Sequence, residues 1–162
     1  MKEQLKELLK MQKLLDEAIM KEHGLAEYPA NNMEIALFVE LCEMMNELPT
    51  KFKYWKKSAI DNRENALVEY VDALHFVLSL FNHQDCKIAY VKAYNECGKC
   101  NEYAVPTIYD CLINLIMRTY DGYAILNIMF KLGNILGFSW EEVYTTYKKK
   151  NAVNYERLKK GY

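Results

Sequence analysis

Ala66-Leu-Val-Glu-Tyr-Val-Asp-Ala-Leu-His-Phe-Val-Leu-Ser-Leu-Phe81 is apolar on almost every side of a helical wheel, yet it carries Glu69, Asp72 and His75. A helix that is apolar all round belongs in a core. An ionised carboxylate left unpaired there costs several kcal/mol or takes up a proton, so Glu69 and Asp72 need partners. Their spacing of three residues puts them on one helix face, with Cβ atoms about 5–6 Å apart. The stretch predicts a central buried helix whose acidic face turns toward another element.

That element lies one helix earlier. Ile35-Ala-Leu-Phe-Val-Glu-Leu-Cys-Glu-Met-Met-Asn-Glu-Leu48 repeats the spacing with Glu40 and Glu43. Taken alone, its stripe of Glu40, Glu43 and Glu47 reads as a solvated face between apolar ones. Two such faces turned together make a box of four carboxylates, which is stable only when partly protonated or filled with cations. Oxygen ligands with no Cys or His among them suit hard ions, Mg²⁺ or Mn²⁺, rather than zinc. Such a site holds phosphates.

Glu40-x2-Glu43, twenty-five residues, then Glu69-x2-Asp72 resembles the signature of the all-α NTP pyrophosphohydrolases, the group that holds the MazG-like enzymes and the dimeric dUTPases. Further motifs resemble the dUTPase branch: Leu9-Lys-Met-Gln-Lys-Leu-Leu-Asp16, Phe52-Lys-Tyr-Trp-Lys56, and Lys150-Asn-Ala-Val-Asn-Tyr-Glu-Arg157 followed by Gly161-Tyr162. They occur in the expected order over nearly the whole chain. Leu158 departs from the pattern, where Gln is expected.

The resemblance implies a homodimeric, Mg²⁺-dependent enzyme that hydrolyses dUTP to dUMP and pyrophosphate, with two or more ions held by Glu40, Glu43, Glu69 and Asp72; whether dUDP is also a substrate is left open by the sequence. It makes Glu40 the residue that orients or deprotonates the attacking water. Lys150, Asn154 and Arg157, at i, i+4 and i+7 of the last helix, offer an ammonium, an amide and a guanidinium on one face. That set suits a polyphosphate, although cations near a helix carboxyl end also simply complement its dipole. By resemblance Gln12 and Asp16 help read the uracil edge, which an amide can match as donor and acceptor. Trp55 falls where the family uses a base-contacting Trp, and His75 or Phe76 falls near the deoxyribose. A structural aromatic plug and a satisfied core histidine are the plainer readings of Trp55 and His75. Two other functions fit the same acids: a broader MazG-like or dCTP-directed pyrophosphohydrolase, and a non-enzymatic helical module that binds a structural ion or a regulatory protein partner.

The remainder of the chain sets bounds. With 162 residues, 51% of them hydrophobic, and only six Gly and three Pro, a single domain spanning 1–162 can bury about 70% of its unfolded surface. The expected fold is an all-α bundle of about six helices. A net charge of −1 gives no reason to expect nucleic-acid or membrane binding. The amino terminus lacks a signal-peptide core and no long uncharged apolar run occurs, so a soluble, cytoplasmic protein with reduced thiols is expected. Residues 1–22 read as an amphipathic helix with Gln12 on its apolar stripe, ended by Gly24. Asn31 or Asn32 would cap the second helix, which stops before Pro49, and Asp61 to Glu64 reads as a capping box for the third. A helix is expected around Lys87–Glu96, and Cys97-Gly-Lys-Cys100 alone is a weak zinc or redox signal. Pro106 suits the start of a helix that reaches about Arg118. Asp121 can cap the next, and Ser139 to Glu142 is a full capping box for the last.

Overall fold

The computed structural model describes residues 1–88, 91, 92, 94 and 107–161. Six α-helices and a short 3₁₀ turn lie wholly within them: α1 Lys2–Glu22, α2 Ala30–Asn46, the 3₁₀ turn Pro49–Lys51, α3 Arg63–His83, α4 Ile108–Met117, α5 Gly122–Ile135 and α6 Trp140–Lys159. No strand is present among these residues, and none of the helices is long and apolar enough to cross a membrane. Half of the stretch 87–96, together with Cys97–Cys100, Pro106 and Tyr162, lies outside the described residues.

α3 is the axis of the bundle, with α1, α2, α5 and α6 all packed on it. Tyr70, Val71, Leu74, Val77, Leu78 and Phe81 project to different sides and are all buried. Burial of each large apolar side chain contributes about 1.5–3 kcal/mol, so the helix is held by its surroundings more than by its own propensity. α2 lies along α3 in the most extensive helix contact of the fold. α1 and α6 pair with each other on another side of α3, and α4 leans on α5 with a smaller contact to α2.

The helix ends follow capping chemistry, with shifts of a residue or two from expectation. α3 is capped by Asn62, whose side chain accepts from the Asn65 backbone N–H. Asp61, the expected cap, is instead taken by Thr50, whose backbone N–H (2.9 Å) and hydroxyl (2.6 Å) both donate to its carboxylate. That pair, with the bond from Asn62 N–H to the Glu47 carbonyl (2.8 Å), closes the α2–α3 connection and holds the two acid-bearing helices in register. α2 starts at Ala30 directly after Pro29, so Asn31 and Asn32 fall inside its first turn and do not cap it. Thr107 and Asp110 form a capping box for α4. Gly24 (φ 62°) follows α1 in the left-handed conformation that favours glycine. Asp121 caps α5, and the Ser139–Glu142 box opens α6 as expected.

Candidate active site

α2 has three faces. Leu37, Leu41 and Met44 are buried against the core. One side of that row carries Glu40, Glu43 and Glu47, and the other carries Ile35, Phe38, Val39 and Cys42. The acidic face meets that of α3. Carboxylate oxygens of Glu40, Glu43 and Glu69 all lie within 4.8 Å of one another. Burial, and after it the negative charges of Asp72, Glu43 and Glu69, push the Glu40 carboxyl up to about 7. Glu69 and Asp72 are raised too, mainly by burial. Carboxylates forced this close hold protons more tightly unless a cation offsets their charge. Their chemistry, three or four oxygen donors with no sulfur or imidazole, fits Mg²⁺ or Mn²⁺.

Asp72 stands outside the tight group of three. Its Oδ2 accepts from Lys150 Nζ of α6 at 2.5 Å, with both side chains largely buried. The pair ties the acidic cluster to α6, the helix that bears the expected phosphate ligands. Next to it, Gln12, Asp16, His75, Phe76, Asn154 and Arg157 line a pocket of about 280 Å³. The pocket thus collects six of the residues that the sequence singles out, from α1, α3 and α6.

Gln12 is the hub of a buried hydrogen-bond network. Its Oε1 accepts from the Tyr147 hydroxyl (2.6 Å) and lies 2.7 Å from His75 Nδ1, while its Nε2 donates to Asp16 Oδ1 (2.7 Å). The Ser79 hydroxyl donates to Asp16 Oδ2 (2.7 Å), which leaves the Tyr28 hydroxyl to donate to Ser79 Oγ (2.7 Å). His75 stacks on Tyr147 with ring centroids 4.0 Å apart. Burial pushes His75 down to about 3, so the ring is neutral near pH 7. Since Gln12 Oε1 can only accept, the proton sits on Nδ1, and Nε2 carries a lone pair. His75 Nε2 and Asn151 Nδ2 are the buried side-chain atoms without a partner among the described residues. Asp16 is raised to about 6, chiefly by burial and against the hydrogen bonds from Ser79 and Gln12.

Two expectations change. Gln12 cannot offer the base both a donor and an acceptor, because its carbonyl is engaged by Tyr147 and His75; one N–H of its amide is left. Trp55 does not line the pocket. The turns after Pro49–Lys51 carry it outward, where it is 65% exposed with its ring edge-on to Tyr54. Tyr147, Ser79 and Tyr28 escaped the sequence reading. A usable signal existed for two of them: Ser79 is four residues from His75 on an apolar helix, and Tyr147, Asn151 and Asn154 recur on one face of α6.

Comparison with known sequences is decisive at this point. A family model described as dUTPase matches residues 4–162, almost the whole chain. The chain belongs to the all-α dUTPase family. As a member it is a hydrolase of the dUTP diphosphatase class, and the six helices of the described residues, with no strand among them, are the fold expected of the family. No curated protein matches the chain. The four ordered motifs that suggested the dUTPase family in the sequence all fall within the matched residues.

Proposed function

We propose that the chain hydrolyses dUTP to dUMP and pyrophosphate in the cleft between α1, α2, α3 and α6, as a homodimer. The observation that carries this reading is the Asp72–Lys150 ion pair, because it makes the acidic cluster and the Gln12–His75–Arg157 pocket parts of one site. Nucleoside pocket, cationic α6 face and carboxylates then follow in the order in which a nucleoside triphosphate presents base, sugar and phosphates.

Glu40, Glu43, Glu69 and Asp72 would hold two or more Mg²⁺, which would offset carboxylate and triphosphate charge and lower the pKa of a bound water. Lys150 leaves Asp72 for the phosphates, so that Asp72 joins the other three acids. Glu40 takes the proton of the attacking water. The water oxygen bonds to phosphorus as the P–O bond of the α–β bridge breaks, and Lys150, Asn154 and Arg157 stabilise the charge that develops on the leaving oxygens. The remaining N–H of Gln12 faces a base carbonyl, His75 Nε2 accepts from a donor of the nucleoside, and Phe76 packs on the deoxyribose.

The test is pyrophosphate release from each dNTP, and phosphate release from dUDP, with and without Mg²⁺. Turnover should require the ion, and kcat/KM for dUTP should exceed that for dCTP and dTTP by about 10²-fold or more. Comparable rates on several dNTPs would place the chain with the broader pyrophosphohydrolases instead.

Metal binding has a readout that does not depend on turnover. Glu40 has a folded pKa above its unfolded value, so its contribution to stability is full below about pH 4.5 and is lost as pH rises through about 7. In chelator, wild type should therefore lose stability over this range relative to Glu40→Gln. The loss is about 1–2 kcal/mol once screening at a half-exposed group is allowed for, or a few degrees in Tm. Referring to Glu40→Gln cancels the opposite slope from His75, whose depressed pKa favours the folded state as pH rises. At pH 8, Mg²⁺ should raise the Tm of wild type more than that of the variant; equal response of the two proteins would remove Glu40 from the metal site.

A further inference from the structure

Polarity in the Gln12 network is fixed at one point. Tyr147, Ser79 and Tyr28 carry hydroxyls that can donate or accept, and a neutral His75 can present either ring nitrogen as its donor. The Asp16 carboxylate can only accept. Its Oδ1 takes an N–H of Gln12 (2.7 Å) and its Oδ2 takes the Ser79 hydroxyl (2.7 Å). Gln12 Nε2 must therefore face Asp16, which turns Oε1 toward Tyr147 and His75. That orientation in turn puts the His75 proton on Nδ1 and leaves Nε2, buried and without a partner among the described residues, as an acceptor. The pocket that Gln12 and His75 both line is thus set to offer an amide N–H and an imidazole lone pair.

Turning the amide over would reverse both. The carbonyl would take the place of the free N–H, the amide would donate to His75 Nδ1, and the proton of His75 would move to Nε2. Pyrimidine bases differ in the same two positions. Uracil has the C4 carbonyl, an acceptor, beside its N3–H donor, whereas cytosine has an N4 amine, a donor, beside N3 as an acceptor. The order in this structure complements uracil and the reversed order complements cytosine. We infer that Asp16, held by Ser79, decides between the two bases without touching either, by locking the Gln12 amide and through it the tautomer of His75. Asp16 is then a positioning residue, in place of the direct part in reading uracil that the resemblance implies. The inference rests on the proposed preference for dUTP and gives it a physical origin. Thymine shares the edge of uracil, so the lock does not separate dUTP from dTTP.

The test reads tautomer and selectivity together. Long-range proton–nitrogen NMR of the imidazoles is recorded near pH 8, where Asp16, raised by burial to about 6, is ionised. At the same pH, kcat/KM is measured for dUTP, dCTP and dTTP with wild type, Asp16→Asn and Ser79→Ala. Wild-type His75 should carry its proton on Nδ1. In Asp16→Asn the new amide can donate to Gln12 as well as accept from it, so part of His75 should shift to the Nε2–H form. The dUTP:dCTP ratio of that variant should fall about 10-fold or more, with the dUTP:dTTP ratio unchanged; a variant that merely loosened the pocket would move both. Ser79→Ala keeps an acceptor-only group beside Gln12, so both of its ratios should stay at wild-type values even where its turnover falls. An unchanged dUTP:dCTP ratio in Asp16→Asn, or an equal loss in Ser79→Ala, would overturn the inference. An Nε2–H tautomer in a wild type that prefers dUTP would overturn it without any variant and leave the proposed function intact. An Nδ1–H tautomer in a wild type that turns over dUTP and dCTP equally would instead overturn the proposed specificity while the lock itself stood.

Discussion

Replacing Glu69 with glutamine should abolish turnover of dUTP, lowering kcat by about 10³-fold or more, while the protein stays folded. Glu69 is the α3 member of the cluster formed with Glu40 and Glu43, so the substitution removes one anionic oxygen ligand and keeps the volume. If that ligand supports the several kcal/mol of charge stabilisation that a bound cation can supply, the loss of about 4 kcal/mol corresponds to about 10³ in rate. Stability should move the other way. The Glu69 carboxyl is raised by burial and by the charge of Asp72, so in chelator near pH 8 the glutamine variant should melt at the same temperature as wild type or higher. The two readouts together are diagnostic. A residue needed only for packing would lose stability along with activity, and a variant with near-normal turnover would show that the cluster does not take part in the chemistry. Asp72→Asn makes a useful companion, because it also frees Lys150 from its ion pair.

The parts of this site that the sequence discloses are those in which local pattern and burial conflict. Glu69 and Asp72 lie on a helix with no polar face to offer them, and that conflict by itself calls for a partner. Glu40 and Glu43 are harder to read, because α2 carries two apolar faces and the wheel alone does not say which of them meets the core. The structure shows that both exist and that one of them is bare, and that distinction belongs to tertiary packing. Helix ends slip for a related reason: Asp61 and Asn62 are both good caps, and the choice between them is made by Thr50, eleven residues before Asp61. The position of Trp55 depends on how a short connection turns, which no periodicity encodes. Gln12 marks the reach of the sequence well. Its place on an apolar stripe requires a partner, but His75 and Tyr147 lie 63 and 135 residues away. Only the fold shows that these partners use up its carbonyl, and with it half of the recognition expected of the amide.

Gly133→Ala should destabilise the protein by about 1–2 kcal/mol net, lowering Tm by roughly 2–8 °C, although alanine is the better helix former. Gly133 lies within α5, where the exchange by itself would gain about 1 kcal/mol. The space decides otherwise. A Cβ added there would run into the Tyr94 hydroxyl and would come within 2.6 Å of the Tyr70 hydroxyl and 2.9 Å of Tyr70 Cζ. Neither ring is free to yield, because both are fully buried, with Tyr70 donating to the Met129 carbonyl (2.9 Å) and Tyr94 to the Phe138 carbonyl (3.0 Å). Overpacking of this kind typically costs about 1–3 kcal/mol and occasionally more, and here the contact falls on two rings at once. Tyr70→Phe in the same protein separates the contributions: it removes one clashing oxygen and leaves the ring carbon and Tyr94, so a double-mutant cycle should recover only part of the loss. An unchanged or higher Tm for Gly133→Ala would mean that α5 can move away from α3 at little cost. If α5 holds its place, the strain passes into Tyr70, the residue after Glu69. Turnover by the folded Gly133→Ala protein should then fall as well, although the substitution lies on a helix that contributes no residue to the site.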